Sequence, residues 1–364
     1  MIAPARAAAY EVVRRVFEQD AYADRAFRTG AADLDERDRA LARRLAYGTI
    51  QRVRTIDHAI DELGRRPTRK LDPPVLAALR LGAYQLGWTA GIPAHAAVSD
   101  SVELVRRARL ERAIPFTNAV LRRLSEGLHP LLEALPEGPL LHSYPDWVYE
   151  VWERDLGRDE ALALMRAQNE VVEPLAPHEI SRASRLAAAC VGEGGRVLDA
   201  CAAPGGKTDL LRGEEVVAVE PNEGRARELA ERFRGRPEIR VAQADARELA
   251  ESGFDRALVD APCSGLGVLS GRPDLRWRAR PLPELQLELL RAAAERVRPG
   301  GTIVYSVCTI NADENEAVVD ASGLEPEPLG EEHPEFRHPR RPEFLLTLPH
   351  RHATSGFFVS RLRA

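Results

Sequence analysis

The spacing of apolar residues changes character at residue 194, and that change limits what the chain can fold into. Before it, apolar side chains recur every three or four positions: Ala9, Val12, Val13, Val16 and Phe17; then Leu41, Leu45 and Ile50; then Val75, Leu76 and Leu79. This is the period of helices with one buried face. Asp72-Pro73-Pro74 reads as a helix start, because the first turn has no intrahelical use for its N–H groups. Gly91-Ile92-Pro93 separates two further helices. About seven helices packed as a bundle are expected over residues 4–130. Residues 127–145 carry Gly127, Pro130, Pro136, Gly138, Pro139 and Pro145 and read as a linker. Residues 146–190 read as helical again, with a break from Glu173-Pro174 to Pro177.

From Gly194 onward, short apolar strands alternate with helices. Strands are expected at 196–200, 215–219, 239–242, 254–259 and 301–305, and helices at 206–212, 222–233, 284–298 and 313–320. Buried strands joined by helices make a doubly wound, Rossmann-like parallel α/β sheet. Residues 344–348 and 357–362 are expected to close it as an antiparallel pair. The expected organisation is therefore an all-α helical bundle over 1–130, a linker and helical subdomain over 131–193, and an α/β domain over 194–364.

A length of 364 residues suits two or three domains. No apolar run approaches the ~20 residues needed to span a bilayer, so no membrane role is expected. The N-terminus soon turns amphipathic and acidic, unlike a signal or transit peptide, and the expected location is the cytoplasm. There a disulfide framework is not expected for Cys190, Cys201, Cys263 and Cys308. None forms a CxxC pair and no Cys/His cluster has zinc-like spacing, so no metal site is expected.

The net charge of -5 is unevenly spread. Residues 1–130 hold 22 basic and 16 acidic side chains, against 29 and 40 in the remainder, which directs a polyanion to the N-terminal part. Of 51 basic residues only Lys70 and Lys207 are lysines. A lysine in so arginine-rich a chain marks a place for a compact ammonium.

Lys207 ends Asp199-Ala-Cys-Ala-Ala-Pro-Gly-Gly-Lys207, a turn between the first strand and the first helix of the α/β part. Glycines there let backbone N–H groups approach a ligand. A phosphate-binding P-loop fails on spacing, since its first glycine would fall on Cys201. Glu220 ends the second strand, where an acid takes the ribose hydroxyls of a nucleoside cofactor. Asp245 follows the third strand and Asp260 ends the fourth. Any one of these acids would also serve as a helix cap; three in register point to a ligand edge. Cys263 follows strand four and Cys308 strand five, so both can face one cleft, whereas Cys190 reads as core. Arg272, Arg276, Trp277 and Arg278 form a basic, aromatic stretch suited to phosphate and stacking contacts with RNA, or to a solvated loop.

Taken together, these motifs make the chain recognisable. Asp199–Lys207, Asp260-Ala-Pro-Cys-Ser264, Arg272-Pro-Asp-Leu-Arg-Trp277, Tyr305-Ser-Val-Cys-Thr309 and Gly356-Phe-Phe358 closely resemble the RNA cytosine-C5 methyltransferases of the RsmB (Sun/Fmu) and NSUN group. Arg39–Gly48, Leu81–Leu86, His95–Val98 and Asn118–Arg123 resemble a NusB-like RNA-binding domain. The pairing of the two is typical of the RsmB branch, which acts on small-subunit ribosomal RNA.

The resemblance implies S-adenosylmethionine as cofactor, held by Cys201, Ala202, Ala203, Pro204, Gly205, Gly206, Lys207, Glu220, Asp245 and Asp260. It implies Cys308 as the nucleophile that adds to C6 of the cytosine, with Cys263 assisting release. Asp260 and Lys207 would line the cleft, and the protein would act as a monomer on 16S ribosomal RNA. DNA cytosine methyltransferases take their nucleophile from a Pro-Cys motif, which would point to Cys263. Three departures stand out. The segment before the catalytic domain is shorter than usual, Glu220 replaces the commoner Asp, and Val-Cys-Thr replaces the commoner Thr-Cys-Ser.

Overall fold

The computed structural model describes residues 2–170 and 179–364; the break expected at Glu173–Pro177 lies outside the described residues. The described residues before 171, together with Leu269–Arg278, form one compact unit, and those after 178 without that segment form a second. No helix among them is long and apolar enough to cross a membrane.

The first unit is all helical. Its main helices are α1 (Pro4–Glu18), α2 (Ala23–Gly30), α3 (Glu36–Gln51), α4 (Val53–Gly64), α5 (Pro73–Trp88), α6 (Ala94–Arg107) and α7 (Ile114–Ala134), with the shorter α8 (Pro139–His142), α9 (Asp146–Leu156) and α10 (Arg158–Ala167) after them. Local signals set several boundaries. Asp35 caps α3 by accepting from Asp38 N at 2.8 Å, and Glu36 and Asp38 complement the positive end of the helix. Pro73 opens α5 as expected. The periodic residues Val12, Val13, Leu45, Ile50 and Leu79 are all buried in one cluster.

Two expectations change here. Residues 127–134 are helix rather than linker: Leu128 is buried in the core, and α7 continues through Pro130 although that residue offers no N–H to the preceding turn. The helices of 146–167 and the segment Leu269–Arg278 also belong to this unit, which the composition of the chain did not announce.

The second unit is a sheet with strand order β3-β2-β1-β4-β5-β8-β6, with β7 also pairing β8. The strands are β1 (Arg196–Asp199), β2 (Glu215–Val219), β3 (Ile239–Ala242), β4 (Phe254–Asp260), β5 (Val297–Val307), β6 (Glu325–Pro326), β7 (Leu345–Thr347) and β8 (Phe357–Arg363). β1 to β5 run parallel, and β8 pairs antiparallel with β5, β6 and β7. The helices are α11 (Arg182–Ala189), α12 (Glu223–Arg232), α14 (Pro283–Arg296) and α15 (Glu316–Ser322), with the single turns α16 (Leu329–Glu332) and α17 (Pro349–His352); α13 (Leu275–Arg278) lies in the helical unit. The doubly wound Rossmann-like sheet is thus as expected. The helix expected at 206–212 shrinks to one 3₁₀ turn, Thr208–Leu210. Leu211 returns to extended backbone, and Gly194 N donates to Arg212 O at 2.9 Å, so the chain is already tied to the start of β1.

Candidate active site

The carboxyl edge of the parallel strands gathers the expected residues. After β1, Ala202 N donates to Val219 O at 3.0 Å and Gly205 N to Ala202 O at 2.7 Å, which folds the loop tightly over the sheet edge. Gly205 has φ +94, and a Cβ there would stand 2.7 Å from Leu229 Cδ1. Only glycine fits both the backbone and the space. Asp199 is buried beneath this loop and accepts from Thr208 Oγ1 at 2.7 Å. Burial pushes its carboxyl up to about 6.

Three acids line the edge. Glu220 is buried, and its Oε1 accepts from Asn222 N at 2.8 Å and from Arg225 at 2.7 Å, which orients the carboxylate and leaves Oε2 for a ligand. Asp245 is held by Arg247 at 2.7 Å, a hydrogen bond that holds its carboxyl below the usual range. Asp260 accepts from Lys207 Nζ at 2.6 Å and from Ser306 Oγ at 2.9 Å. Cys201 sits among these acids; burial, then their charges, push its thiol up. The glycine-bounded loop and two oriented carboxylates suit the ribose and charged amino-acid end of a nucleoside cofactor. Asp245→Ala and Glu220→Ala should each weaken S-adenosylmethionine binding by roughly tenfold or more, because each removes hydrogen bonds to an anionic acceptor. Titration calorimetry on both variants checks this, and unchanged affinity in both would refute the assignment of these acids.

Cys263 and Cys308 meet at the ends of β4 and β5, with their Sγ atoms 3.4 Å apart. This is far beyond the ~2.05 Å of a disulfide, and both are free thiols. The hydrogen bond between the two sulfurs lowers the Cys308 pKa; the nearby Lys207 ammonium adds to the effect while burial and Asp260 oppose it. The same hydrogen bond and burial raise Cys263. Burial opposes charge on Lys207, but Asp260 outweighs it and keeps the ammonium protonated. Lys207 Nζ also lies 4.9 Å from the centre of the Phe357 ring. One sulfur is therefore poised as a thiolate and the other as its proton donor. Lys207→Met should move the pH midpoint of Cys308 alkylation upward, since a cation that favours the thiolate is gone. An unmoved midpoint in iodoacetamide kinetics would refute that coupling.

The motif reading missed the group beneath both cysteines. Glu314 is fully buried, and its Oε1 accepts from Ser264 N at 3.0 Å, Leu282 N at 3.1 Å and Gln286 Nε2 at 2.9 Å. Its Oε2 accepts from the Ser264 hydroxyl and from Asn311 Nδ2 at 3.3 Å. Ser264 follows Cys263 directly, and its Oγ lies 2.8 Å from the Oγ1 of Thr309, which follows Cys308. Gly267 N donates to Cys308 O at 3.0 Å, and Gly356 N to Gly267 O at 2.8 Å. A Cβ on Gly267 would collide with the Gly356 backbone. The thiols are thus fixed from below by one carboxylate and from the side by two closely packed glycines.

The expected RNA contacts differ. Arg272, Arg276, Trp277 and Arg278 lie in the helical unit. Arg276 is 0% exposed, donating to Gln51 O at 3.1 Å, Asn169 Oδ1 at 2.7 Å and Gln168 O at 2.8 Å, with its guanidinium 3.9 Å from the Tyr144 ring centre. Trp277 Nε1 donates to Ile50 O at 2.7 Å. Both are occupied in holding the unit together, so the basic stretch is no solvated phosphate-binding loop at these two positions. Arg278 pairs with Asp20 at 3.1 Å and stacks on Tyr22, while Arg272 lies 3.8 Å from Asp24 and keeps a partly exposed side chain.

A doubly wound sheet with this strand order, a glycine-bounded loop after β1 and acids at the ends of β2 and β4 defines a Rossmann-like methyltransferase. The sequence profile described as 16S rRNA methyltransferase RsmB/F matches residues 189–363, and that of the NusB family matches residues 3–126. The chain is 34% identical to the ribosomal RNA small subunit methyltransferase B of Thermus thermophilus, over 90% of this chain and 89% of that protein. It is 33% identical to the putative methyltransferase Rv1407 of Mycobacterium tuberculosis, over 99% and 96%. It is 30% identical to the probable ribosomal RNA small subunit methyltransferase B of Synechocystis, over 99% of each chain. The crystal structure of PH0851 shares the fold, with a TM-score of 0.81, 23% identity and coverage of 100% of this chain and 99% of that one. The chain belongs to the RsmB/F family of 16S rRNA methyltransferases. It is an S-adenosylmethionine-dependent RNA methyltransferase with a NusB-like helical part.

Proposed function

We propose that this enzyme transfers a methyl group from S-adenosylmethionine to C5 of a cytosine in small-subunit ribosomal RNA, through a covalent bond between Cys308 and C6. The observation that carries this reading is the pair of thiols 3.4 Å apart beside the Lys207–Asp260 ion pair.

Cytosine C5 is too weak a nucleophile to take a methyl group unaided. When the Cys308 thiolate adds to C6, the C5–C6 π electrons make C5 enamine-like, and covalent catalysis divides one hard step into easier ones. The bound cofactor supplies an electrophilic methyl group. A base then takes the C5 proton, the C5–H electrons re-form the C5–C6 double bond, and the Cys308 sulfur departs with the electron pair of the S–C6 bond. Cys263, 3.4 Å away, assists this second stage. Lys207 and Asp260 line the pocket and hold its charge balance. A cytosine within a stem must be unstacked to reach the thiols.

The Pro-Cys placement of Cys263 keeps the alternative nucleophile in view, but the Lys207 ammonium acts on Cys308, where it favours the thiolate, and this supports Cys308. The relatives named ribosomal RNA small subunit methyltransferase B support small-subunit RNA as substrate, and the NusB-like part would contribute RNA affinity. The test is to incubate the enzyme with labelled cofactor and unmodified 16S rRNA, then digest the product to nucleosides. Label in 5-methylcytidine is expected. Label in another nucleoside, or none in RNA, would overturn the reading.

A further inference from the structure

A cavity of about 280 Å³ in the helical unit is lined by Arg52, Trp88, Leu132, Leu141, His142, Arg166 and Asn169. Its cations are unequally provided for. Arg166 and His142 share Glu137, each at 2.6 Å. Arg52 has no carboxylate and no hydrogen-bond acceptor for its guanidinium among the described residues. That guanidinium lies 5.6 Å from the centre of the Trp88 ring, and Trp88 is itself stacked on Tyr84 at 6.1 Å and 9°.

The surroundings add to the imbalance. Arg52 lies near enough to Arg276 for its charge to disfavour that guanidinium's, and the partners of Arg276 are carbonyl and amide oxygens. Burial disfavours the Arg52 charge as well. In another cavity of the unit, of about 300 Å³, two of the three lining arginines have acids: Arg14 with Glu18 at 2.8 Å and Arg80 with Asp57 at 2.6 Å. A partly buried guanidinium without an anion carries a desolvation cost, and its five fixed donors match a phosphate. A flat aromatic ring at the same cavity offers a stacking face for a base.

We propose that this cavity is an RNA subsite that takes one nucleotide of the bound strand, its phosphate on Arg52 and its base against Trp88. The proposal rests on the reading that the chain acts on RNA, and goes beyond it by naming a contact outside the catalytic unit.

The experiment compares the full-length enzyme with Arg52→Met, which keeps an unbranched apolar stem and removes the charged guanidinium. Without ligand the variant should melt at a higher temperature than the wild type, because a partly desolvated, unpaired charge is gone. Millimolar AMP should raise the melting temperature of the wild type, by mass action on the folded state, and should not move the variant. Affinity for a 16S rRNA fragment should fall roughly tenfold or more in the variant, with S-adenosylmethionine affinity unchanged. A variant less stable than the wild type, or one that keeps either the AMP shift or full RNA affinity, overturns the proposal. An AMP shift lost with RNA affinity intact means a site for a free nucleotide, which overturns the strand assignment. If the wild type binds no rRNA fragment at all, the RNA reading falls, and the AMP arm still decides whether Arg52 holds a nucleotide.

Discussion

Cys308→Ala is expected to abolish methylation, by at least roughly 10⁴-fold, and to leave no covalent protein–RNA species on a denaturing gel. The thiolate that adds to C6 is absent, and Cys263 cannot replace it, because burial and the hydrogen bond to its neighbour hold its proton. Cys263→Ala should behave in the opposite way. Attack and methyl transfer remain, breakdown of the methylated adduct slows, and a protein–RNA band accumulates that needs S-adenosylmethionine to reach its methylated form. The variant also loses the S–H donor that lowers the Cys308 pKa. Its adduct should therefore form more slowly at neutral pH and faster as pH rises. If the two phenotypes exchange, Cys263 is the nucleophile and the reaction class survives with the roles reversed.

Glu314→Gln is expected to cut turnover by roughly a hundredfold while leaving S-adenosylmethionine affinity within about twofold. The amide would turn an NH₂ toward donors that now face a carboxylate oxygen: Ser264 N, Leu282 N and Gln286 Nε2 on one side, Ser264 Oγ and Asn311 Nδ2 on the other. An unsatisfied buried donor costs about 1–3 kcal/mol, so a displacement of the two cysteine loops is the cheaper response. A shift of even 1 Å costs about 10²-fold in rate. Single-turnover kinetics with a pH profile of Cys308 alkylation separate this from simple unfolding. A variant with normal kcat and a lowered melting temperature would show that Glu314 serves stability alone.

What could be read from the sequence follows from how far each signal reaches along the chain. The parallel strands were legible because burial on both faces leaves an unbroken apolar run in each. Cys263, Cys308 and Asp260 were legible because each stands within a few residues of a strand end, and strand ends of a doubly wound sheet converge; Lys207 was legible because it closes the glycine-bearing loop after β1. Glu314 was not. It lies in Asn311-Ala-Asp-Glu-Asn-Glu316, a polar run that looks like a helix start, and its partners Ser264 and Gln286 are 50 and 28 residues away. Arg276 was misread for a similar reason. In sequence it is one cation in Arg-Trp-Arg, whereas its acceptors Gln51 and Gln168 are 225 and 108 residues distant. Local composition cannot tell a buried arginine from a solvated one when the carbonyls that surround it come from elsewhere. The helix expected at 206–212 failed on a tertiary tie, the pairing of Gly194 with Arg212.

The assignment of Leu269–Arg278 to the helical unit carries a consequence for the order in which the protein is born. The N-terminal helices leave the ribosome first, yet the carbonyls of Ile50, Gln51 and Gln168 receive their donors from Trp277 and Arg276. At synthesis rates of roughly 5–20 residues per second, those oxygens wait on the order of 5–20 s after residue 170 has been added. Through that interval the nascent bundle has an open seam that only later-made chain can close. Translation past residue 278, rather than completion of the N-terminal stretch, is the event that finishes this half of the molecule.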